Sequence, residues 1–148
     1  MQGHHTSIRT ADIHRAITFY QVLGFEVQER FTTGYTLACW LQGTAGRLEL
    51  IQIPQPHPPP DAFNDPHYVG YYHLSFDLTE SLRSVGDLTT WLTQLKKQMH
   101  NQEIDLQVLL PPCRQTICDR NYEVTFIADT DGLPLEFLLD LGPCPQTE

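Results

Sequence analysis

Six of the chain's eleven prolines fall between Pro54 and Pro66, and they cut its 148 residues into two stretches of similar size. A run such as Pro54-Gln55-Pro56-His57-Pro58-Pro59-Pro60 lacks the N–H donors a sheet ladder needs and prefers extended, polyproline-like geometry. It therefore reads as a connector, long enough to carry the chain across a molecule. At this length the chain, residues 1–148, fits one compact domain, here made of two small half-modules that share a core.

The two halves repeat one order of elements. In the first, Gly3 to Thr10 reads as a strand with His5, Ser7 and Arg9 on one face. Asp12 then caps a helix whose apolar positions Ile13, Ala16, Ile17 and Tyr20 form one face, and Gly24 follows as its stop. Strands are expected from Glu26 to Phe31, Tyr35 to Leu41 and Arg47 to Ile53, separated by Gly-containing turns. In the second half, Tyr71 to Asp77 alternates, with Tyr71, His73, Ser75 and Asp77 on one side. A helix follows from about Asp87, with Leu88, Trp91, Leu92, Leu95 and Met99 at helical spacing and Lys96 and Lys97 favouring its C-terminal dipole. Strands are expected from Leu106 to Leu110, Tyr122 to Ala128 and Leu133 to Asp140, with Pro111 to Asn121 as loop, or a poor strand between two loops. Asp129-Thr130-Asp131-Gly132 marks a tight turn before the last strand. The expectation is an α+β fold of two βαβββ modules, residues 1–53 and 71–141, joined by a linker over 54–70.

Composition narrows the function classes. A formal charge of −9 with only nine scattered basic residues excludes a phosphate-backbone partner, so no nucleic acid is expected. No run approaches the ~18 apolar residues of a membrane span, and Met1-Gln2-Gly3-His4-His5 does not resemble a signal peptide. A cytoplasmic protein is the expectation. Cys39, Cys113, Cys118 and Cys144 are too few for a disulfide scaffold, and the spacing of Cys113 and Cys118 is wider than a zinc knuckle; they read as free thiols.

Four ionisable residues stand out. Glu49 lies between Leu48 and Leu50, Glu136 between Leu135 and Phe137, and His73 between Tyr72 and Leu74, so each interrupts an apolar run. His5 lies on the Ser7/Arg9 face of the first strand, with His4 beside it as a rival one register away. A carboxylate in such a place is costly to bury unless it is paired or binds a metal. Each residue taken singly could be an ordinary solvent-facing or hydrogen-bonded group. A His on the first strand and a Glu on the last, in both halves, is a pattern that chance seldom produces. Two imidazoles and two carboxylates make a neutral set suited to a divalent Ni, Co, Zn, Mn or Fe ion.

The stretch from His5 through Phe19-Tyr20 to Leu23-Gly24-Phe25 resembles the opening of vicinal oxygen chelate (VOC) proteins, glyoxalase I above all. Leu48-Glu49-Leu50 and Tyr72-His73-Leu74-Ser75-Phe76 are similar to that family's second and third ligand strands. Asp129-Thr130-Asp131-Gly132-Leu133-Pro134-Leu135-Glu136 is similar to the turn before its fourth ligand. The resemblance implies paired βαβββ modules and one metal site made of His5, Glu49, His73 and Glu136, the His-Glu-His-Glu set of bacterial-type glyoxalase I. It further implies a lactoylglutathione lyase-like enzyme acting on a small substrate through two vicinal oxygens. Glu136 would be the catalytic base and Glu49 its symmetric counterpart. Arg9 would contact a substrate carboxylate, with glutathione the candidate co-substrate, and the assembly would be a homodimer. Two features depart from glyoxalase I: Ile53-Pro54-Gln55 replaces an Asn-Trp-Gly-like segment, and basic residues near the fourth ligand are represented only by Arg114 and Arg120. The alternatives are another metal-dependent member such as an epimerase, and a small-molecule binding protein on the same fold.

Overall fold

Alternation and capping decide the elements of the first module. A computed structural model describes residues 1–84 and 86–145. Strand β1 (Thr6–Thr10) leads into helix α1 (Ile13–Val22), then β2 (Glu26–Thr33), β3 (Thr36–Gly43) and β4 (Gly46–Gln52). Helix α1 starts where expected: the Asp12 side chain accepts hydrogen bonds from the backbone N–H groups of His14 and Arg15, satisfying donors that a helix start otherwise leaves unpaired. Its end explains the Leu23-Gly24-Phe25 motif. Gly24 adopts φ +98°, its N–H donates to the Gln21 carbonyl, and the Phe25 N–H reaches back to Tyr20. This is a Schellman closure, which needs the left-handed residue that glycine supplies without strain. The Tyr20 and Phe25 rings then meet edge to face, centroids 6.0 Å apart.

The strands form one sheet in the order β1-β4-β3-β2. β1 runs parallel to β4 and the other pairs are antiparallel. Helix α1 packs on the sheet, and Ile8, Cys39, Leu41, Leu48 and Leu50 are buried with its apolar face.

The second module repeats the plan: β5 (Leu74–Asp77), α2 (Leu88–Asn101), β6 (Val108–Ile117), β7 (Arg120–Ala128) and β8 (Pro134–Pro143). The sheet order β5-β8-β7-β6 is that of the first, strand for strand. Asp87 caps α2 by accepting from the Thr90 N–H. The architecture is α+β, two four-stranded mixed sheets each carrying one helix.

Compact units divide between Pro59 and Pro60. There Asp61 accepts hydrogen bonds from the backbone and side chain of Asn64 and closes a turn.

Three expectations need correction. β1 begins at Thr6 and β5 at Leu74, so His5 and His73 each precede their strand rather than lie within it. The segment read as loop or a poor strand between two loops, Pro111 to Asn121, is mostly strand, continuous with its neighbours. β6 continues to Ile117 through both prolines, with the ladder register shifting between Leu110 and Cys113. β6 is an edge strand, and a register shift at an edge is where residues without an N–H can be accommodated.

Candidate functional site

The first module assembles a candidate pair around Glu49. Leu48 and Leu50 are buried on one side of β4, and the strand's alternation turns Glu49 to the other. Across the parallel ladder Glu49 faces Ser7, whose hydroxyl donates to Oε1 at 2.8 Å. Two residues before Ser7, the His5 Nε2 lies 3.4 Å from the same oxygen. Across the antiparallel ladder Glu49 faces Trp40, whose indole N–H donates to Oε2 at 2.9 Å.

Both carboxylate oxygens are therefore held. The Glu49 pKa lies below the ordinary value chiefly because of the indole hydrogen bond. Desolvation opposes the shift, while the Ser7 hydroxyl and the charges of His5 and His4 support it. The choice between the adjacent histidines is resolved by a neighbour. His4 Nε2 accepts from the Arg47 guanidinium at 2.8 Å, which in turn lies over the Trp40 ring, leaving His5 to face Glu49.

The second module repeats this geometry around Glu136. Leu135 and Phe137 are buried on one face of β8, and Glu136 points to the other. It faces Ser75 across the parallel ladder. His73, two residues before Ser75, places Nε2 3.2 Å from Glu136 Oε2. Each histidine thus stands at the same offset from the residue registered against the glutamate, the physical content of the repeat seen in the sequence.

The two halves differ at one position. Opposite Glu136 on the antiparallel side stands Phe126, which has no donor to offer. Among the described residues Glu136 keeps only its contact with His73. The imidazole of His73 is wedged edge-on between Tyr72 and Phe126, centroids 4.4 and 5.0 Å away. Its Nδ1 is buried without a hydrogen-bond partner among the described residues. Phe63, from the turn after the prolines, packs 5.3 Å from Phe126 and so sits one ring away from His73.

Among the described residues no three or more His, Cys, Asp or Glu side chains converge as a metal cluster; each module assembles one His–Glu pair. Trp40, Phe126 and Phe63 were not anticipated as parts of the candidate site. The two-residue turn Thr44-Ala45, between the paired Gly43 and Gly46, is the signal that would have placed Trp40 against Glu49.

Arg9 lies two residues beyond Ser7 on the same side of β1, exposed, and no carboxylate pairs with it among the described residues. Arg114 is likewise exposed. Arg120 is committed elsewhere, donating through Nε and Nη2 to Asp140. That guanidinium, followed by the Gly142 N–H, holds the Asp140 carboxyl below its ordinary pKa against the opposing effect of desolvation. Asp140 therefore contributes fully above about pH 4 and loses its contribution as pH falls through the lowered folded-state value. Asp140→Asn is expected to unfold at a lower urea concentration than the wild type at about pH 7, with the gap closing as the pH falls through the lowered folded-state value. Urea titrations of both proteins across that range check the sign.

The turn before β8 sets the register that delivers Glu136. Asp129 Oδ1 accepts from the N–H groups of Asp131 and Leu133, both at 2.9 Å, and Gly132 takes φ +93° to complete the bend. Asp129→Ala leaves these two donors without that partner and is expected to cost about 1–3 kcal/mol. Asp129→Asn keeps an acceptor and should recover much of the loss. Denaturant unfolding of the two variants measures the difference.

None of the four cysteines forms a disulfide. Among the described residues no helix is long and apolar enough to cross a membrane.

Comparison with known proteins completes the picture. The family model for the Glyoxalase/Bleomycin resistance protein/Dioxygenase superfamily matches residues 2–137. No curated protein matches the chain. Among solved structures, a glyoxalase family protein from Enterococcus faecalis is 24% identical, with 93% of this chain and 96% of that one covered and a TM-score of 0.62. A glyoxalase family protein from Bacillus cereus is 14% identical over 96% of this chain and 95% of its own, with a TM-score of 0.66. A glyoxalase I mutant from Zea mays is 17% identical, covers 92% of this chain with 45% of its own length, and has a TM-score of 0.63. At these identities the structural likenesses establish the fold, and the family model supplies the membership. The chain belongs to the Glyoxalase/Bleomycin resistance protein/Dioxygenase (VOC) superfamily.

Proposed function

We propose that the protein is a metal-dependent lyase or isomerase of the glyoxalase I type, acting on a small substrate through two adjacent oxygens. In this reading the pairs His5–Glu49 and His73–Glu136 are each half of the coordination set of one divalent cation. The observation that carries it is the doubled pair itself, placed at the same register in both modules.

Donor chemistry fits a cation. Metal–ligand bonds of about 2.0–2.2 Å place neighbouring donor atoms about 3.0–3.5 Å apart at tetrahedral or octahedral angles. The His Nε2 to Glu oxygen separations of 3.4 and 3.2 Å match that spacing. When bound, the ion supplies Lewis acidity toward the substrate oxygens; Ni, Co, Zn, Mn or Fe would suit this set.

Within that reading Glu136 takes a proton from the carbon alpha to a carbonyl, which in a hemithioacetal substrate is the hemithioacetal carbon itself, and returns it to the neighbouring, former carbonyl carbon. Glu49 is its symmetric counterpart. Arg9, exposed on the His5 side of β1, is the candidate contact for a substrate carboxylate such as that of glutathione. The working form in this proposal is a homodimer, which light scattering at micromolar concentration tests directly.

Elemental analysis of untagged protein, reconstituted with each metal in turn, is expected to give stoichiometric binding that both His5→Ala and His73→Ala abolish. Absence of bound metal would remove the proposal. Turnover of methylglyoxal with glutathione is the expected activity. A protein that binds metal yet leaves that substrate untouched would be a different enzyme of the superfamily.

A further inference from the structure

The repeat invites a comparison of the two carboxylates under nearly matched conditions. Glu49 and Glu136 occupy the same place in their sheets, each registered against a serine of the parallel neighbour. Their side chains are equally exposed, 14% each, and each has an imidazole Nε2 within 3.4 Å. Burial and the histidine contact therefore cannot separate them. What separates them is the residue across the antiparallel ladder, Trp40 for Glu49 and Phe126 for Glu136, together with the Ser7 hydroxyl.

We propose that Trp40 and Ser7 are positioning residues that hold Glu49 in the orientation in which it ligates the metal, a support that Phe126, standing in Trp40's place, does not give Glu136. The proposal rests on the metal reading given above. Hydrogen bonds to an ionised carboxylate are the stronger kind and fix its orientation. Glu49 must break two of them, at 2.8 and 2.9 Å, before it can turn. Glu136 breaks none among the described residues. A carboxylate that only coordinates gains from being held. The difference in support between two chemically identical side chains is set by their neighbours on β3 and β7.

The test is cation affinity, with Co(II) as the probe in competition with a chromophoric chelator. Trp40→Phe keeps a ring against Phe31, 5.2 Å away in the native protein, and removes only the indole and its donor. It is expected to weaken Co(II) binding by about 10–100-fold, the usual effect of losing a group that orients a ligand. Ser7→Ala should weaken it in the same direction without altering any ring. Phe126→Trp offers Glu136 the missing donor and is expected to tighten binding. Opposite signs for the Trp40 and Phe126 variants distinguish positioning from general damage to the fold, which would loosen both. Should Phe126→Trp be too crowded to fold, Trp40→Phe and Ser7→Ala together still decide the matter. Wild-type Co(II) affinity in both of those variants overturns the proposal alone. A wild-type protein that binds no Co(II) removes the metal reading itself and the proposal with it.

Discussion

Replacing Glu136 by Gln is expected to lower turnover by about 10²–10⁴-fold, the range a positioned acid–base group typically contributes, while the fold and much of the metal binding survive. Gln matches the shape of Glu and can still offer an oxygen to a cation, but it cannot take a proton. The site gives it little reason to disturb the fold. Glu136 is half-buried on the side of β8 opposite Leu135 and Phe137, and its contact among the described residues is the His73 ring. An amide loses the ionic part of that contact and nothing of the core. Steady-state kinetics with the methylglyoxal–glutathione hemithioacetal, read beside a thermal unfolding curve, check both halves of the expectation. A variant with near-normal rate would remove Glu136 as the base and shift attention to Glu49.

The largest stability loss is expected from Leu50→Ala, about 2–5 kcal/mol. Leu50 is fully buried in β4, registered against Ile8 in parallel and Cys39 in antiparallel, with α1 packed over the sheet. Truncation removes apolar area from a sheet only four strands wide and leaves a cavity that neighbours on three elements cannot all move to fill. Its effect reaches the site as well, because Leu50 and Leu48 anchor the strand face that turns Glu49 outward. Leu37→Ala supplies the contrast: Leu37 is 44% exposed on β3, and its loss should stay within about 0.5 kcal/mol. Urea denaturation of the metal-free proteins measures both.

The origin of these features divides along a clear physical line. Local patterns were legible in the chain itself. Asp12 and Asp87 marked the helix starts because a cap needs only its own next turn. Gly24 marked a helix end because the closure involves backbone groups within five residues. The outward turn of Glu49 and Glu136 followed from period-two alternation between apolar neighbours, and the pairing of His5 with one and His73 with the other followed from recognising the repeat.

What lay outside local pattern was the identity of cross-strand neighbours. Trp40 meets Glu49 because the β3–β4 register places them opposite, and Phe126 meets Glu136 by the same rule. Arg120, one of the two basic residues set against those near the fourth ligand, is engaged by Asp140, twenty positions away on the next strand. His5 rather than His4 faces Glu49 because Arg47 of β4 engages His4. The prolines of β6 read as loop because their missing donors forbid a central strand, yet the sheet places them at its edge, in a register shift. Sequence alone determined which face each side chain takes, since that depends on backbone geometry over two to four residues. Tertiary structure decided which side chain it meets there, since that depends on the register between strands, which the alternation within a strand does not carry.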